Sequence, residues 1–222
     1  MTTPAPDSPT PPAPKQRLFP DAASLPSGEY VAAQATDDEL LSRLKLGKGR
    51  ETALPELFTR HGEKSLRLAY RILGDWQSAE EAVQDAFLRL ADKAHLWRGE
   101  SGFQTFFTRV LVNVCRNRGR VLRSNKNENS RGGAPTGLWA GLAESSRVTE
   151  VAKRLEEEEV RKEIRDAIQK LPENYREVLI LRDLEGWSYQ KIAETLEVSL
   201  DEVKIWIFRG RKKLREILER RE

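Results

Sequence analysis

The chain has 222 residues, of which 33% are charged and 38% are apolar, and its net charge is +3. That apolar fraction is low for one large core, so two small helical domains with disordered segments fit the composition better. One cysteine and two histidines are too few for an intrachain disulfide or for a zinc site of ordinary ligand count. No apolar run has the length of a membrane span, and the N-terminus has no secretory signal pattern. We therefore expect a cytoplasmic protein without membrane insertion, metal or other cofactor.

Residues 1–35 are rich in proline, serine, threonine and alanine. Such a segment cannot bury enough apolar surface to offset its chain entropy, so it is predicted to be a disordered tail. The first domain, 36–123, is expected to begin with a helix, because Thr36 and Glu39 form a capping box ahead of Leu40 and Leu41.

A second helical stretch extends from about Ala53 toward Leu73, with a break expected at His61. Ser78 and Glu81 form another capping-box pattern, which is predicted to open a strongly amphipathic helix. Its polar face is either a solvated surface that suits the helix dipole or a docking surface for a basic protein. That face comprises Glu80, Glu81, Gln84, Asp85 and Arg89.

The stretch from Ala91 to Gly102 is predicted to be a loop, in which Trp97 is either a core residue or an exposed platform for stacking a base. The next helix has a buried apolar face and a second stripe of arginine and asparagine, residues suited to phosphates and base edges. A basic helix end is the alternative explanation, but it does not account for the members near the helix start. The stripe consists of Arg109, Asn113, Arg116, Asn117 and Arg120.

Residues 124–147 are rich in asparagine, serine and glycine without sustained periodicity, which predicts a flexible linker. The second domain, 148–222, is expected to begin with a helix that ends at Pro172, followed by a short helix up to Gly186. The predicted inner face of the first of these helices is Ile164, Ala167, Ile168 and Leu171.

Two helical patterns then meet at a short break, Glu197–Ser199, and Ser199 with Glu202 forms a capping box for the second helix. Gly210 gives that helix a point of close packing. Two short helices joined in this way, with a basic outer face on the second, are typical of a helix-turn-helix that enters the major groove. The alternative is a solvated basic helix. The outer face carries Asp201, Lys204, Ile205, Phe208, Arg209, Lys212 and Arg215.

Both halves resemble a known family. The segments LFTRHGEKSLRLAYRILGDWQSAEEAVQDAFLRL and SGFQTFFTRVLVNVCRNRGR are similar to the second conserved region of bacterial RNA polymerase sigma factors. The segment LPENYREVLILRDLEGWSYQKIAETLEVSLDEVKIWIFRGRKKLR resembles the fourth region. Only the linker lies between them, as in the extracytoplasmic-function (ECF) type. The resemblance therefore implies an all-α fold of two small helical domains joined by a flexible linker.

The resemblance also implies roles. The acidic helix face defined above would dock on a coiled coil of the largest subunit of core RNA polymerase, and the C-terminal domain on the flap. The loop and the helix after it would recognise and melt the −10 element and capture single-stranded DNA. The residues concerned would be Trp97, Arg98, Phe106, Arg109, Asn113, Arg116, Asn117 and Arg120.

The helix-turn-helix of such a factor reads the −35 element of promoter DNA as a duplex. The positions concerned here are Arg182, Ser199, Lys204, Ile205, Phe208, Arg209 and Lys212. An anti-sigma factor is a common further partner, and the regulated genes of this type commonly answer stress or other signals.

The chain departs from the family pattern in the helix-turn-helix. Glu197 stands at a turn position that is usually glycine, where a left-handed backbone would strain it by about 1 kcal/mol. Lys191 stands where an acid often completes the capping box of Ser188. Ile205 and Trp206 replace a more polar pair, so Ile205 is limited to apolar contact with a thymine methyl.

Three other classes of function fit the sequence less well. A stand-alone transcriptional regulator would use the helix-turn-helix, but it does not explain the acidic helix or the arginine and asparagine stripe. An adaptor that binds polymerase without DNA does not explain the basic recognition face. An enzyme is the poorest fit, because no cluster of nucleophile, base and acid residues is apparent.

Overall fold

The computed structural model describes residues 35–47, 50–124 and 151–220, and within these ranges it contains helices and their connections without any strand. The all-α prediction is confirmed. The predicted tail and linker lie outside the described residues, apart from Ala35 and Ser124. The helices are α1 (Asp37–Lys45), α2 (Ala53–Leu73), α3 (Trp76–Lys93), α4 (Phe103–Ser124), α5 (Val151–Gln169), α6 (Glu173–Leu179), α7 (Tyr189–Leu196) and α8 (Leu200–Glu219).

Helices α1 to α4 pack around one apolar core. Small residues on α3, among them Ala79, Ala82 and Ala86, are fully buried, which lets α2 and α4 approach this helix closely. Aromatic rings then fill the centre: the Phe87 ring lies 5.0 Å from that of Phe58 on α2 and 4.5 Å from that of Phe107 on α4. The alternation of small and large residues explains why this part of the chain closes into a bundle.

Two expectations about helix boundaries in this bundle were wrong. Helix α3 begins at Trp76 rather than at Ser78, because Asp75 is the N-cap and its carboxylate accepts the Ser78 backbone N–H at 2.8 Å. Helix α2 also continues without a break through His61, whose Nε2 lies 2.7 Å from a carboxylate oxygen of Asp37. Its apolar stripe is unbroken at this position, so nothing in the packing favours a break.

Helices α5 to α8 form the second group. Among the α5 side chains that the structure describes, Glu159 to Gln169, only those of the last turn are buried. Ala167 and Ile168 lie in the core with Leu171, just after the helix, whereas Ile164 is 38% exposed. The prediction that Ile164 faces the core is therefore wrong. It lies N-terminal to the buried last turn, where α5 extends beyond the core. Helix α6 leads into a π-helical turn, Ile180–Leu184, whose first two residues are fully buried.

Helix α8 crosses α6 at Gly210, as its small size predicted. A β-carbon at this position would lie 3.3 Å from side-chain atoms of Leu179 and Tyr175 on α6. That distance is tighter than an ordinary van der Waals contact, so a larger side chain would push the two helices apart.

We expect Gly210→Val to lower the free energy of unfolding by about 1–3 kcal/mol, because the added methyl groups overpack the crossing. In Gly210→Ala the gain in helix propensity, about 1 kcal/mol, offsets much of the strain from the smaller side chain. Urea denaturation of both variants measures the difference. Equal stability of Gly210→Val and the unmodified chain would contradict this close crossing.

Candidate nucleic-acid interface

The loop before α4 is fixed by hydrogen bonds at both ends. The backbone oxygen of Trp97 accepts the Lys45 ammonium at 2.8 Å, and the Trp97 indole N–H donates to the Ser101 carbonyl at 2.7 Å. Asp38 on α1 accepts the first backbone N–H of α4, at Phe103, at 2.6 Å. Trp97 is half-buried and Arg98 is exposed, so the loop presents part of an aromatic ring next to a cation.

The arginine and asparagine stripe divides into two parts. Asn113 and Asn117 are exposed to solvent. The arginines instead contact the second group of helices. Arg116 forms two bonds to the Glu177 carboxylate, at 2.8 and 2.6 Å, and Arg120 lies 3.8 Å from a carboxylate oxygen of Glu173.

Arg109 makes the same kind of contact further along the stripe. Its guanidinium donates to the Glu194 carbonyl at 2.7 Å and lies 3.1 Å from a Glu197 carboxylate oxygen. Its Nε is buried and has no hydrogen-bond partner within the described ranges. A pocket of about 350 Å³ lies beside it, and its lining includes Trp97, Arg98, Phe106, Glu194 and Glu197.

Glu177 is 1% exposed and lies among apolar residues of α6. Burial raises the pKa of its carboxyl group, and the hydrogen bonds and charge of Arg116 offset part of this rise. The same hydrogen bonds raise the pKa of Arg116, which keeps the guanidinium charged. The pair is thus a charged contact in a largely desolvated place, where its two partners depend on each other.

Several contacts between the two groups of helices were not foreseen in the sequence. Arg176 donates to the Ile72 carbonyl at the end of α2, at 3.1 Å, and Arg71 forms an ion pair with Glu185. Lys191 donates to Gln104 at 2.6 Å. Periodicity cannot reveal such pairs, because their partners are on average about a hundred residues apart. The one available signal was that Glu177 directly precedes the apolar run Val178 to Leu181.

The helix-turn-helix is formed by α7 and α8. The capping box of Ser199 and Glu202 is confirmed, and Ser188 accepts the Lys191 backbone N–H without an acidic partner. The ammonium of Lys191 instead lies over the Trp187 ring, 4.0 Å from its centroid. Glu197 adopts the left-handed backbone, with φ 57° and ψ 46°, and is the single non-glycine residue of the described ranges with positive φ.

The outer face of α8 is open to solvent. Lys204, Arg209 and Lys212 are exposed, and Ile205 and Phe208 are 45% and 72% exposed. Arg182 lies differently: it donates to the Trp187 carbonyl at 2.7 Å and stacks on the Tyr189 ring, 4.9 Å from its centroid. Arg182 therefore braces the start of α7 in this structure.

The polar face of α3 is only partly exposed. Gln84 and Arg89 face solvent, whereas Glu80 is 9% exposed. Glu81 and Asp85 are half-exposed and both pair with Arg118 on α4, the second at 2.8 Å. The charge of the α3 face is therefore partly neutralised by its neighbouring helix.

These features together define an all-α DNA-binding protein with a helix-turn-helix. A family model of sigma-70 region 2 matches residues 57–125, and one of sigma-70 region 4 matches residues 161–214. The ECF RNA polymerase sigma-E factor of Escherichia coli is 30% identical over 192 residues, which cover 82% of this chain and 93% of that protein. The chain belongs to the sigma-70 family of RNA polymerase sigma factors and is of the ECF type.

A further relative agrees with this assignment, and a solved structure agrees with the fold. The RNA polymerase sigma-H factor of Pseudomonas aeruginosa is 28% identical over 190 residues, or 85% of this chain and 97% of that protein. CnrH, solved in complex with the cytosolic domain of CnrY, shares the fold with a TM-score of 0.57 and 24% identity, over 84% of this chain and 99% of that one.

The protein is therefore a transcription initiation factor that acts with core RNA polymerase and gives it promoter specificity. Its relatives are transcription factors rather than enzymes. In the part of the chain that the structure describes, no helix is long and apolar enough to cross a membrane. Within the same residues there is no cluster of side chains that could hold a metal ion.

We expect Glu197→Gly to raise the free energy of unfolding by about 0.5–1 kcal/mol. Glycine relieves the left-handed strain, and the lost pair with Arg109 is worth little because Glu197 is mostly exposed. Glu194→Gly is the matched control: it lies inside α7, where glycine costs about 1 kcal/mol. Thermal unfolding of both variants compares them, and a loss of stability in Glu197→Gly would contradict the strain.

Proposed function

We propose that α8 reads the −35 promoter element as duplex DNA. The observation that carries this proposal is the exposed cationic face of α8, formed by Lys204, Arg209 and Lys212, which no other described helix covers. An α-helix fits the major groove, and cations on its outer face can reach phosphates and guanine edges. Ile205 and Phe208 would supply apolar contacts with thymine methyl groups, and Ser199 would contact the backbone at the helix start. Arg182 would contribute after leaving Tyr189.

The loop with Trp97 and the stripe of α4 would bind the −10 element and assist its melting. Trp97 and Phe106 offer ring surfaces beside Arg98 and Arg109, which suits an unstacked base and its phosphate. Asn113 and Asn117 are open to base edges, while Arg116 and Arg120 would contact phosphates. Melting would be driven by binding energy alone. Unstacking costs a few kcal/mol per base, and the binding of each unpaired base to the protein offsets that cost, so no catalytic step is required.

The polar face of α3 would dock on the coiled coil of the largest polymerase subunit. Gln84, Asp85 and Arg89 are accessible, and Glu81 could exchange Arg118 for a cation of the polymerase. Glu80 is buried at the edge of this face and would contribute to its field more than to direct contact. The C-terminal domain, 148–222, would dock on the flap, with 124–147 as the connection from the domain at 36–123.

Membership of this family also supports a proposal about an anti-sigma partner, the cellular location and the regulated genes. RpoE of Bartonella quintana was solved with the anti-sigma factor NepR, and it shares this fold with a TM-score of 0.52 and 20% identity, over 74% of this chain and 94% of that one. The exposed Ile205 and Phe208 support an anti-sigma partner that covers α8. The factor would act in the cytoplasm, where polymerase works, on genes that answer stress or another signal.

Run-off transcription tests the function. Core RNA polymerase with this chain should start transcripts on a subset of fragments from a genomic library. On such a fragment, Arg209→Ala should weaken duplex binding by about 1–3 kcal/mol and lower the salt slope by about 1. Arg211→Ala removes the same charge from the side of α8 that faces Asp183, and should have less effect. Equal effects would mean that only total charge matters, and a library without transcripts would favour a stand-alone regulator.

Docking on polymerase is tested at Asp85. We expect Asp85→Arg to weaken the binding of core RNA polymerase by at least about tenfold, because a like charge would face a basic partner. Arg118→Ala breaks the same ion pair but leaves the α3 face acidic, so its affinity should be kept. Titration of fluorescently labelled protein with core polymerase measures both. If the two variants lose affinity alike, the Asp85–Arg118 pair matters only for local structure.

A further inference from the structure

The cationic members of the α4 stripe are all engaged by the C-terminal half of the chain. Arg116 binds Glu177 with both arms of its fork, Arg120 lies beside Glu173, and Arg109 beside Glu197. A guanidinium presents the same two-pronged geometry to a carboxylate as to a phosphate. The glutamates thus stand in the places where DNA phosphates would bind the stripe.

The resulting contact suits a reversible closure. It includes several polar pairs, among them Lys191 with Gln104 and Arg71 with Glu185, and polar interfaces between domains are typically transient. The buried pair of Arg116 and Glu177 contributes little net stability to the contact, because the cost of desolvating both charges offsets most of their attraction.

The closed arrangement also excludes simultaneous reading of both promoter elements. Elements named −10 and −35 lie about 25 base pairs apart, or roughly 85 Å at 3.4 Å per base pair. In this structure the stripe touches the C-terminal half directly, with Arg116 within 2.6 Å of Glu177. One half must therefore leave the other before α4 and α8 can both bind.

We propose that the free chain inhibits itself: Glu173, Glu177 and Glu197 mimic DNA phosphates on the α4 arginines and mask the −10 stripe until the two halves separate. This inference rests on the proposed role of the stripe in DNA binding. Glu197 has a double part in it, because the residue that carries the backbone strain of the turn also supplies the carboxylate for Arg109.

The test uses the full chain with two readouts. Spin labels on Lys64→Cys and Lys213→Cys, both exposed, report the distance between α2 and α8, while Cys115 is buried and stays unlabelled. Anisotropy of a fluorescein-labelled oligothymidine reports single-stranded DNA affinity. Glu177→Gln keeps the side-chain shape but removes the charge, and Glu197→Gly gives a second variant that relieves strain instead of adding it. Glu219→Gln, at the exposed end of α8, makes the same charge change away from the contact.

We expect Glu177→Gln to lengthen the label distance and raise the oligothymidine affinity about tenfold, with a steeper salt slope because freed arginines contact phosphates. Glu197→Gly should change both in the same direction by less, and Glu219→Gln should change affinity by under about twofold. Unchanged distance and affinity in both folded variants would overturn the proposal.

A longer label distance without a gain in oligothymidine affinity would also overturn the proposed self-inhibition. The variant Asn113→Ala then shows whether the masking or the DNA-binding role of the stripe is wrong. Asn113 is exposed and lies outside the contact, so its substitution tests the stripe independently of the closure. If Asn113→Ala weakens oligothymidine binding, the stripe binds DNA and only the masking is wrong. If it has no effect, the proposed function of the stripe is wrong as well.

Discussion

The bidentate pair between Arg116 and Glu177 is the contact on which the arrangement of the two halves depends. Glu177 is almost completely buried, so its charge is tolerable only with the guanidinium beside it. Removing either partner while the halves stay together would leave a desolvated charge. The pair thus fixes how the two halves meet, while the cost of desolvating both charges offsets most of its attraction.

Most of the fold was predictable from local sequence patterns. The capping boxes of Thr36 and Ser199 and the apolar periodicity of α2 to α4 depend on residues a few positions apart, and these were predictable. One error arose where two local signals competed: Asp75 and Ser78 are both good caps, and the Asp75 carboxylate accepts the backbone N–H of Ser78. The prediction of a buried Ile164 was wrong for another reason: periodicity shows which face of a helix is apolar, but not how far the partner helix extends along it.

The candidate site was predictable in composition but not in its present contacts. Arginine and asparagine at helical spacing indicated a nucleic-acid surface on α4, and the cationic outer face of α8 was evident from its periodicity. Nothing in the spacing showed that Glu177 would meet Arg116 across 61 residues, because that depends on how two domains lie together. The departure at Glu197 was informative: the residue kept the backbone that usually requires glycine, and its side chain is tied to Arg109.

The left-handed Glu197 has a consequence for how this factor can evolve. Glutamate and glycine codons differ by a single nucleotide, so the relaxed turn is one point mutation away. That mutation would make the helix-turn-helix more stable and, at the same time, remove its ion pair with Arg109 of the N-terminal half. In the proposed self-inhibition, the more stable turn would therefore release the α4 arginines more readily.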